Sequence, residues 1–327
     1  MSQDVAEDYP QDQLDFDERF ATDAACWQYL EQLRWPEGFV CPRCQQGKAW
    51  RDGRGRQMCA HCLYPVSATA GTIFQDTRKP LRLWFRAAWY VTGQKHGASA
   101  LGLQRVLGLG GYLTAWSWLH KLRRAMVRPG RDALQGTVEV DETYVGGLAE
   151  GKRGRGAERK ALVVIATEED GKGIGRIRMS RVADASAPSL LGFVRSAVSP
   201  GSRIHTDGWD SYAGLSALGY VHEVSVLRGQ GKAAATELLP RVHQVAALLK
   251  RWLLGTHQGA VRPAHLDYYL DEFTFRFNRR TSRSRGKRFY RLIQQAVQLE
   301  PSPYKEMVGG KPLTPSVPQQ VGGTVVN

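Results

Sequence analysis

The sequence predicts an α+β protein built from three modules, and three observations along the chain support this class. Two close cysteine pairs indicate a small metal-bound module, aromatic-rich segments with helical periodicity follow them, and the pattern then changes to strand-like alternation. The chain has 327 residues, and its hydrophobic content of 42% with nine tryptophans is typical of a folded protein. We therefore expect an N-terminal zinc ribbon, a helical module and a mixed-sheet domain.

The first module follows an acidic, helical lead-in at residues 1–37 and occupies residues 38–75. Its segment CPRCQQGKAWRDGRGRQMCAHC contains two Cys-x2-Cys pairs, which is the spacing of a tetrahedral zinc site. The alternative is a redox role, which two pairs without a βαβ context do not favour. The predicted structural zinc ligands are Cys41, Cys44, Cys59 and Cys62.

The second module, residues 76–131, has the pattern of packed helices. A helix at 99–107 runs into a glycine-bearing turn, and a second helix is expected from Thr114 to about Val127. This outline is typical of a helix-turn-helix, although a plain αα-hairpin fits it equally well. The basic residues of the second helix that we expect to contact DNA are Lys121, Arg123 and Arg124.

The third module, residues 136–292, begins with three strand-like segments and continues with alternating helices and strands. This order predicts a mixed sheet with helices on its faces. Residues 293–327 become rich in proline and glycine from Pro301, and we expect them to form a flexible tail.

The charge of the chain indicates an acidic partner. Its net charge is +14 with a pI near 9.7, and nucleic acid is the commonest large acidic partner. The segment RFNRRTSRSRGKRFYR at 276–291 holds eight basic residues and no acid, which favours a phosphate-binding surface over a merely solvated face. Its predicted DNA contacts are Arg276, Arg279, Arg280, Arg283, Arg285, Lys287 and Arg288.

The hydropathy of the chain gives no sign of a membrane protein. Apolar runs are short and interrupted by charge, and the acidic start lacks the apolar core of a secretory signal. We therefore expect a cytoplasmic protein with no membrane partner.

Two aspartates in the third module lie where strands are expected to end. Asp141 ends the first strand of the module and Asp207 follows the strand SRIH. Carboxylates at adjacent strand ends could bind divalent cations such as Mg²⁺, and two such ions promote phosphodiester chemistry. Each aspartate could instead cap a turn, and the residues alone do not decide between these readings. Alternation places Glu142 on the opposite face of the strand from Asp141.

Several segments together resemble one family. The cysteine pairs, SALGLQRVLG, VEVDETYVGG, HTDGWDSY and LKRWLLGTHQG are similar, in this order, to bacterial insertion-sequence transposases of the ISXO-like type. The resemblance covers roughly residues 20–292. It implies an RNase H-like catalytic domain that cuts and joins DNA strands with two Mg²⁺ ions, for which Mn²⁺ can substitute. Carried over, Asp141 is the first catalytic acid and Asp207 is the second.

The third catalytic residue departs from the acidic pattern of these DDE-type enzymes. The family places it on the helix after the fifth strand, often with Lys or Arg seven positions later, and here that place holds His243 and Lys250. The resemblance therefore implies that Asp141, Asp207 and His243 bind Mg²⁺ and that Lys250 contacts a DNA phosphate. Glu272, with Arg279 seven positions later, is the alternative third residue.

The function expected from these features is DNA transposition. The partners would be double-stranded DNA of the element's terminal inverted repeats and of the target, and joining two ends implies a homodimer or larger assembly. Because His243 is not acidic, a catalytically inactive zinc-ribbon DNA-binding regulator derived from a transposase remains the alternative. A nuclease that cuts without joining is a third, weaker possibility.

Overall fold

A computed structural model describes residues 7–128, 130–146, 160–225, 238–259 and 261–308, which fall into two compact units. The first unit contains the described residues through Met126 and those from Arg279 onward, and the second runs from Val127 to Asn278. The predicted α+β class is confirmed, with a zinc-ribbon-like cysteine cluster and a mixed-sheet domain. Every helix in the described part of the chain is too short or too polar to cross a membrane.

The first unit begins with two short helices and a small sheet. Helices α1 (Gln13–Arg19) and α2 (Asp23–Arg34) are each capped by the side chain of the preceding residue, Asp12 and Thr22. Strands β1 (Ala49–Arg51), β2 (Gln57–Cys59) and β3 (Pro65–Val66) then form an antiparallel sheet in chain order. This sheet carries the cysteine pairs.

Three helices follow the small sheet. Helix α3 (Leu81–Gly93) buries a stripe of aromatic and aliphatic residues, and α4 (Ala100–Leu107) and α5 (Tyr112–Arg124) pack against each other. Helix α4 begins with the Ser99 side chain accepting from Gly102 N, and it ends at Gly108 in the left-handed conformation (φ 62°). The helix–glycine turn–helix outline is therefore present, with α5 starting two residues before the expected Thr114.

The second unit is built on a five-stranded sheet. Its strands are β4 (Thr137–Val145), β5 (Ala161–Asp170), β6 (Gly173–Val182), β7 (Arg203–Thr206) and β8 (Val221–Val224). They lie in the order β6-β5-β4-β7-β8, with β4, β5 and β6 antiparallel and β4, β7 and β8 parallel. The first strand of the unit is therefore central in the sheet, and its neighbour β7 runs in the same direction.

Helices cover both faces of this sheet. Helix α6 (Ala187–Ala197) and a 3₁₀ segment (Asp210–Leu218) bury the face that carries Val138 and Val140. Helix α7 (Pro240–His257) packs on β4 and β5, and α8 (Leu266–Phe277) packs on β6.

The chain then returns to the first unit. Helix α9 (Arg285–Ala296) packs against α2 and α3, and α10 (Tyr304–Val308) packs against α5. Phe289 of α9 is fully buried among the rings of Phe16, Phe20, Phe85 and Trp89, with centroid distances of 5.4–5.7 Å. The sequence analysis assigned this helix to the catalytic module through residue 292, whereas the structure groups it with the N-terminal helices.

The described part of the expected flexible tail contains two helical segments. Residues 293–296 complete α9, and Met307 of α10 is buried. Residues 309–327, which belong to the same expectation, lie outside the described residues.

Gly286 permits the close approach of α9 to the N-terminal segment, and its replacement by alanine should destabilise the first unit. A β-carbon built at Gly286 would lie 1.6 Å from the carbonyl oxygen of Pro10, so the backbone has to move. We expect Gly286→Ala to lower the free energy of unfolding by about 1–3 kcal/mol in urea denaturation followed by tryptophan fluorescence. Gly192→Ala is the matched control, because a β-carbon on this helical glycine of α6 meets nothing within 4 Å. Equal stability of the two variants would contradict this packing.

Candidate active site

The central strand β4 presents two acidic side chains on the face covered by α7. Val138 and Val140 point into the core beneath α6, so alternation directs Glu139 and Asp141 to the opposite face. The structure agrees with this assignment. Glu139 accepts hydrogen bonds from the start of α7, and Asp141 Oδ2 lies 3.6 Å from Nδ1 of His243 on the same helix.

Asp207 lies beside Asp141 because of the register of the parallel strands. Strand β4 pairs with β7 through Val138 with Ile204 and Glu139 with His205, and Asp141 and Asp207 each lie two residues further along. Asp207 Oδ1 accepts a hydrogen bond from Trp209 N at 3.0 Å. The turn-capping role that the sequence left open is therefore real, and it does not exclude a metal role.

The charge environment of Asp141 favours binding of a cation. Burial, followed by the negative charges of Glu142 and Asp207, raises the pKa of Asp141 to about 7. The charge of Lys250, which lies two turns beyond His243 on α7, lowers the pKa of Asp141 in part. Two carboxylates and an imidazole form a donor set that suits a divalent cation, which would lower the energy of the ionised carboxylates.

Lys250 lies on α7, the helix that also carries His243. It is exposed, and its charge interacts with that of Asp141. Desolvation lowers the pKa of its ammonium group, while Asp141 raises it. The lysine is therefore in a position to contact an anionic group that approaches Asp141.

Glu272, the alternative third residue, is in a different environment. Its side chain is fully buried in α8, and Oε1 accepts from Arg276 Nε at 2.9 Å and from an Arg276 terminal nitrogen at 2.7 Å. A metal at Glu272 would have to compete with this ion pair in a site closed to solvent. The geometry therefore favours His243 over Glu272.

Glu142 is directed away from α7, as alternation predicts. Tyr212, which is fully buried in the core beneath α6, donates a hydrogen bond from its phenol to Glu142 Oε2 at 3.1 Å. Burial and the charge of Glu142 raise the pKa of Tyr212, so the phenol keeps its proton. Glu142 is therefore held by the core on the other face of the strand.

The sequence analysis did not identify Glu139 as a site residue. Its side chain is 3% exposed, and it binds both the backbone and the side chain of Arg241. A signal was present in the sequence, because Glu139 precedes Asp141 by two residues and Arg241 precedes His243 by two. This spacing did not identify the contact, because equal distances along a strand and along a helix do not show that Glu139 and Arg241 lie close together.

The four predicted zinc ligands do come together. Their sulfur atoms all lie within 4.8 Å of one another, with Cys41 and Cys59 buried. In the part of the chain that the structure describes, this is the one group of three or more His, Cys, Asp or Glu ligands close enough for a single ion. At least one pair among the ligand atoms of Asp141, Asp207 and His243 is therefore more than 4.8 Å apart.

The two cysteine turns share one backbone geometry. The residues that follow the second cysteine of each pair, Gln45 and Leu63, both have positive φ (61° and 56°). Such a conformation costs non-glycine residues energy and persists where the surroundings enforce it. Backbone N–H groups of Cys62 and His61 also lower the pKa of Cys59 to about 6, which favours the thiolate that binds zinc.

Some of the basic residues expected to contact DNA have partners within the protein, and others are exposed to solvent. In α5, Arg123 is 2% exposed, Lys121 lies 6.0 Å from the Trp84 ring and Arg124 donates to Ser302, so these side chains make internal contacts. The exposed residues at the start of α5 are instead Tyr112 and Leu113.

The basic segment 276–291 likewise contains both internally bound and exposed side chains. Arg276 binds Glu272, Arg285 stacks over the Trp89 ring at 4.4 Å, and Lys287 pairs with Glu7 at 2.8 Å. Arg280 and Arg283 are exposed, whereas Arg279 and Arg288 are half-buried. The accessible positive charge is therefore smaller than the composition suggests.

The raised pKa of Asp141 predicts that Asp141→Asn stabilises the protein at alkaline pH when no divalent cation is added. The folded-state pKa of about 7 exceeds the ordinary 3.8, so the contribution of this group to stability is complete below about pH 4 and is lost as the pH rises through 7. At pH 8 the variant should be more stable by on the order of 3 kcal/mol, whereas near pH 4 the two should agree. Thermal unfolding across this range, with the zinc retained, measures the difference.

Asp184→Asn provides a control of opposite sign. Hydrogen bonds from Ser186 and Ser189 lower the pKa of Asp184, so its loss should destabilise the protein at pH 8. Added Mg²⁺ should stabilise the wild type more than Asp141→Asn. A pH-independent effect of Asp141→Asn would contradict the burial of this charge.

Comparisons with known proteins agree with the two parts of this architecture. Residues 21–64 match a family described as a transposase zinc-ribbon domain, and residues 133–278 match the ISXO2-like transposase domain. The chain is also 28% identical over 298 residues to an uncharacterized protein in transposable element ISH50 of Halobacterium salinarum. That alignment covers 85% of this chain and 98% of the relative.

Proposed function

We propose that this chain is an insertion-sequence transposase that cleaves the ends of its element and joins them to target DNA, because its zinc-ribbon and transposase segments match those of the ISXO2-like family. The observation that carries the proposal is the convergence of Asp141, Asp207 and His243 on one face of the sheet. These three residues belong to the segment matched by the transposase domain, and they occur in the order that a DDE-type site requires.

The proposed ligands for the catalytic ions are the Asp141 and Asp207 carboxylates and the His243 imidazole. When bound, two Mg²⁺ ions activate a nucleophile and stabilise the leaving oxygen of a phosphodiester. Burial and the charges of Glu142 and Asp207 raise the pKa of Asp141 to about 7 without a cation, and a bound divalent cation would favour the ionised carboxylate. Lys250 offers a point charge to the phosphate that is attacked.

Two displacements at phosphorus complete the proposed reaction. In the first, a water oxygen bonds to phosphorus at the element end, the P–O3′ bond breaks, and a 3′-OH and a 5′-phosphate are left. In the second, the oxygen of that 3′-OH bonds to a target phosphorus and gives up its proton, the target P–O3′ bond breaks, and the released O3′ takes up a proton. The element strand is then joined to the target strand. This step breaks one phosphodiester bond and forms one.

We propose that the first unit positions the element's ends. The exposed Tyr112 and Leu113 begin the second helix of the α4–α5 pair, and residues at the start of such a helix contact base edges in helix-turn-helix proteins. Arg280 and Arg283 are suitable for backbone phosphates. Because two element ends must be joined, the active species would be a homodimer or larger assembly.

Cleavage and joining of a labelled duplex carrying the terminal repeats that flank the gene test this proposal. With Mg²⁺ or Mn²⁺ we expect a nick that leaves a 3′-OH and, with a supercoiled plasmid present, a joined product. Cleavage without any joined product would favour a nuclease. Binding without cleavage in either metal would favour the catalytically inactive regulator, for which the non-acidic residue at position 243 is the argument.

A further inference from the structure

Helix α7, which carries His243 and Lys250, begins without a cap from its own sequence. Its N-cap residue is Leu239, which makes no side-chain cap, and Pro240 at the first position has no N–H to donate. The first N–H groups that need a partner are those of Arg241 and Val242. A helix that begins in this way depends on another part of the chain to bind these groups.

That partner is Glu139 on β4. Its Oε2 accepts from Arg241 N and from Val242 N, both at 2.8 Å, and its Oε1 accepts from Arg241 Nη1 at 3.0 Å. The carboxylate is therefore bound by three donors at the positive end of the helix. These contacts compensate for the burial of the charge.

Arg241 extends the attachment to the neighbouring strands. Its Nε donates to the carbonyl oxygen of Gly173 at 3.0 Å, its Nη2 donates to that of Gly171 at 3.2 Å, and it also pairs with Glu169. The first turn of α7 is thus joined to β4 and to the turn between β5 and β6. A small rotation or translation of the helix would break several of these bonds together.

The attachment lies next to the proposed metal ligands. Glu139 is two residues from Asp141 on the same face of β4, and His243 directly follows Val242 on α7. The same two elements that are joined by Glu139 therefore bring His243 Nδ1 to 3.6 Å from Asp141 Oδ2.

We propose that Glu139 is a positioning residue that sets the place of His243 against Asp141 and thereby the affinity of the site for its divalent cation. This inference rests on the proposed function, because it takes Asp141 and His243 as metal ligands. Glu139 acts through the first turn of α7 and does not itself contact the ion. Loss of its charge should weaken metal binding more than it weakens the fold.

Glu139→Gln and Glu168→Gln form a matched pair for the test. Glu168 is a half-buried carboxylate of the same sheet that, like the buried Glu139, binds an arginine and backbone N–H groups, namely Arg176 at 2.7 Å and Gln135 N at 2.9 Å. It makes none of the contacts with α7 that are described for Glu139. The two variants should lose similar stability, so a difference in their metal affinity reports on the position of α7.

The first measurement is the Mg²⁺ concentration that gives half-maximal cleavage. We expect it to rise about 10- to 100-fold in Glu139→Gln, as for the loss of other residues that orient metal ligands, and to change less than about twofold in Glu168→Gln. The rate at saturating Mg²⁺ should recover in large part, which a general loss of folding would not allow. Equal metal dependence in the two variants would overturn the inference.

A second measurement does not need activity. Mn²⁺ should broaden the imidazole NMR signal of His243 in the wild type and in Glu168→Gln at lower concentrations than in Glu139→Gln, with His243→Asn identifying the signal. If the wild type fails to cleave but shows this order of broadening, the proposed function fails while the role of Glu139 stands. If Mn²⁺ leaves the wild-type signal sharp, His243 is not a ligand and the inference is wrong.

Discussion

Asp141→Ala and Asp207→Ala should each reduce metal-dependent cleavage of element-end DNA by at least about 100-fold, because each removes a carboxylate from the proposed metal site. His243→Ala should do the same, since its imidazole lies 3.6 Å from Asp141. His243→Glu should retain cleavage, because it restores an acidic ligand at this position. Initial rates under saturating DNA and Mg²⁺ measure all four variants.

Glu272 provides the decisive comparison for His243. Glu272→Gln is preferable to alanine, because removing one partner of a buried ion pair costs about 3–5 kcal/mol and could inactivate the protein by unfolding it. We expect Glu272→Gln to cleave at nearly the wild-type rate once its melting temperature shows that it is folded. If this variant is folded and inactive while His243→Ala is active, the third ligand is Glu272 and the enzyme class is unchanged.

Removal of zinc should unfold the ribbon and abolish specific recognition of the element's ends. Structural zinc contributes an apparent binding free energy of about 10–16 kcal/mol in small zinc modules, and the ribbon sheet has strands of only two or three residues. Cys59→Ser should lower the zinc content from one ion per chain to well below one. Binding to an element-end duplex should then fall to the level of unrelated DNA.

Cys26→Ser is the control for this experiment. Cys26 is buried in α2 and is not part of the four-cysteine cluster, so its replacement should keep one zinc per chain. The measurements are metal content by atomic absorption and DNA binding by fluorescence anisotropy. A Cys59→Ser protein that keeps one zinc and full specificity would contradict the assignment of the ligands.

Features set by short-range spacing could be predicted from the sequence. The cysteine pairs need one local turn each, and that turn appears twice with Gln45 and Leu63 at the same place. The sequence analysis places Asp141 at the end of the first strand of its module, whereas the structure places it in the middle of β4, because the strand continues to Val145. The roles of Asp141 and His243 as metal ligands stay predictions, with which their 3.6 Å separation is consistent.

Features that depend on distant contacts could not be predicted. Phe289 lies in a segment whose composition indicates a charged surface, yet its ring is at the centre of an aromatic cluster with Phe16 and Trp89. The contact of Glu139 with Arg241 joins residues 102 positions apart. Composition and periodicity describe a segment by its neighbours in sequence, so they contain no information on such pairs.

The return of the chain to its first unit affects the order in which the protein can fold during synthesis. The helix that holds Phe289 emerges from the ribosome only after the whole of Val127–Asn278 has been made. At about 5–20 residues per second, the 152 residues of this range take roughly 8–30 s. The second unit can therefore complete its fold first, while the part of the α3 aromatic surface that Phe289 covers is still available to chaperones.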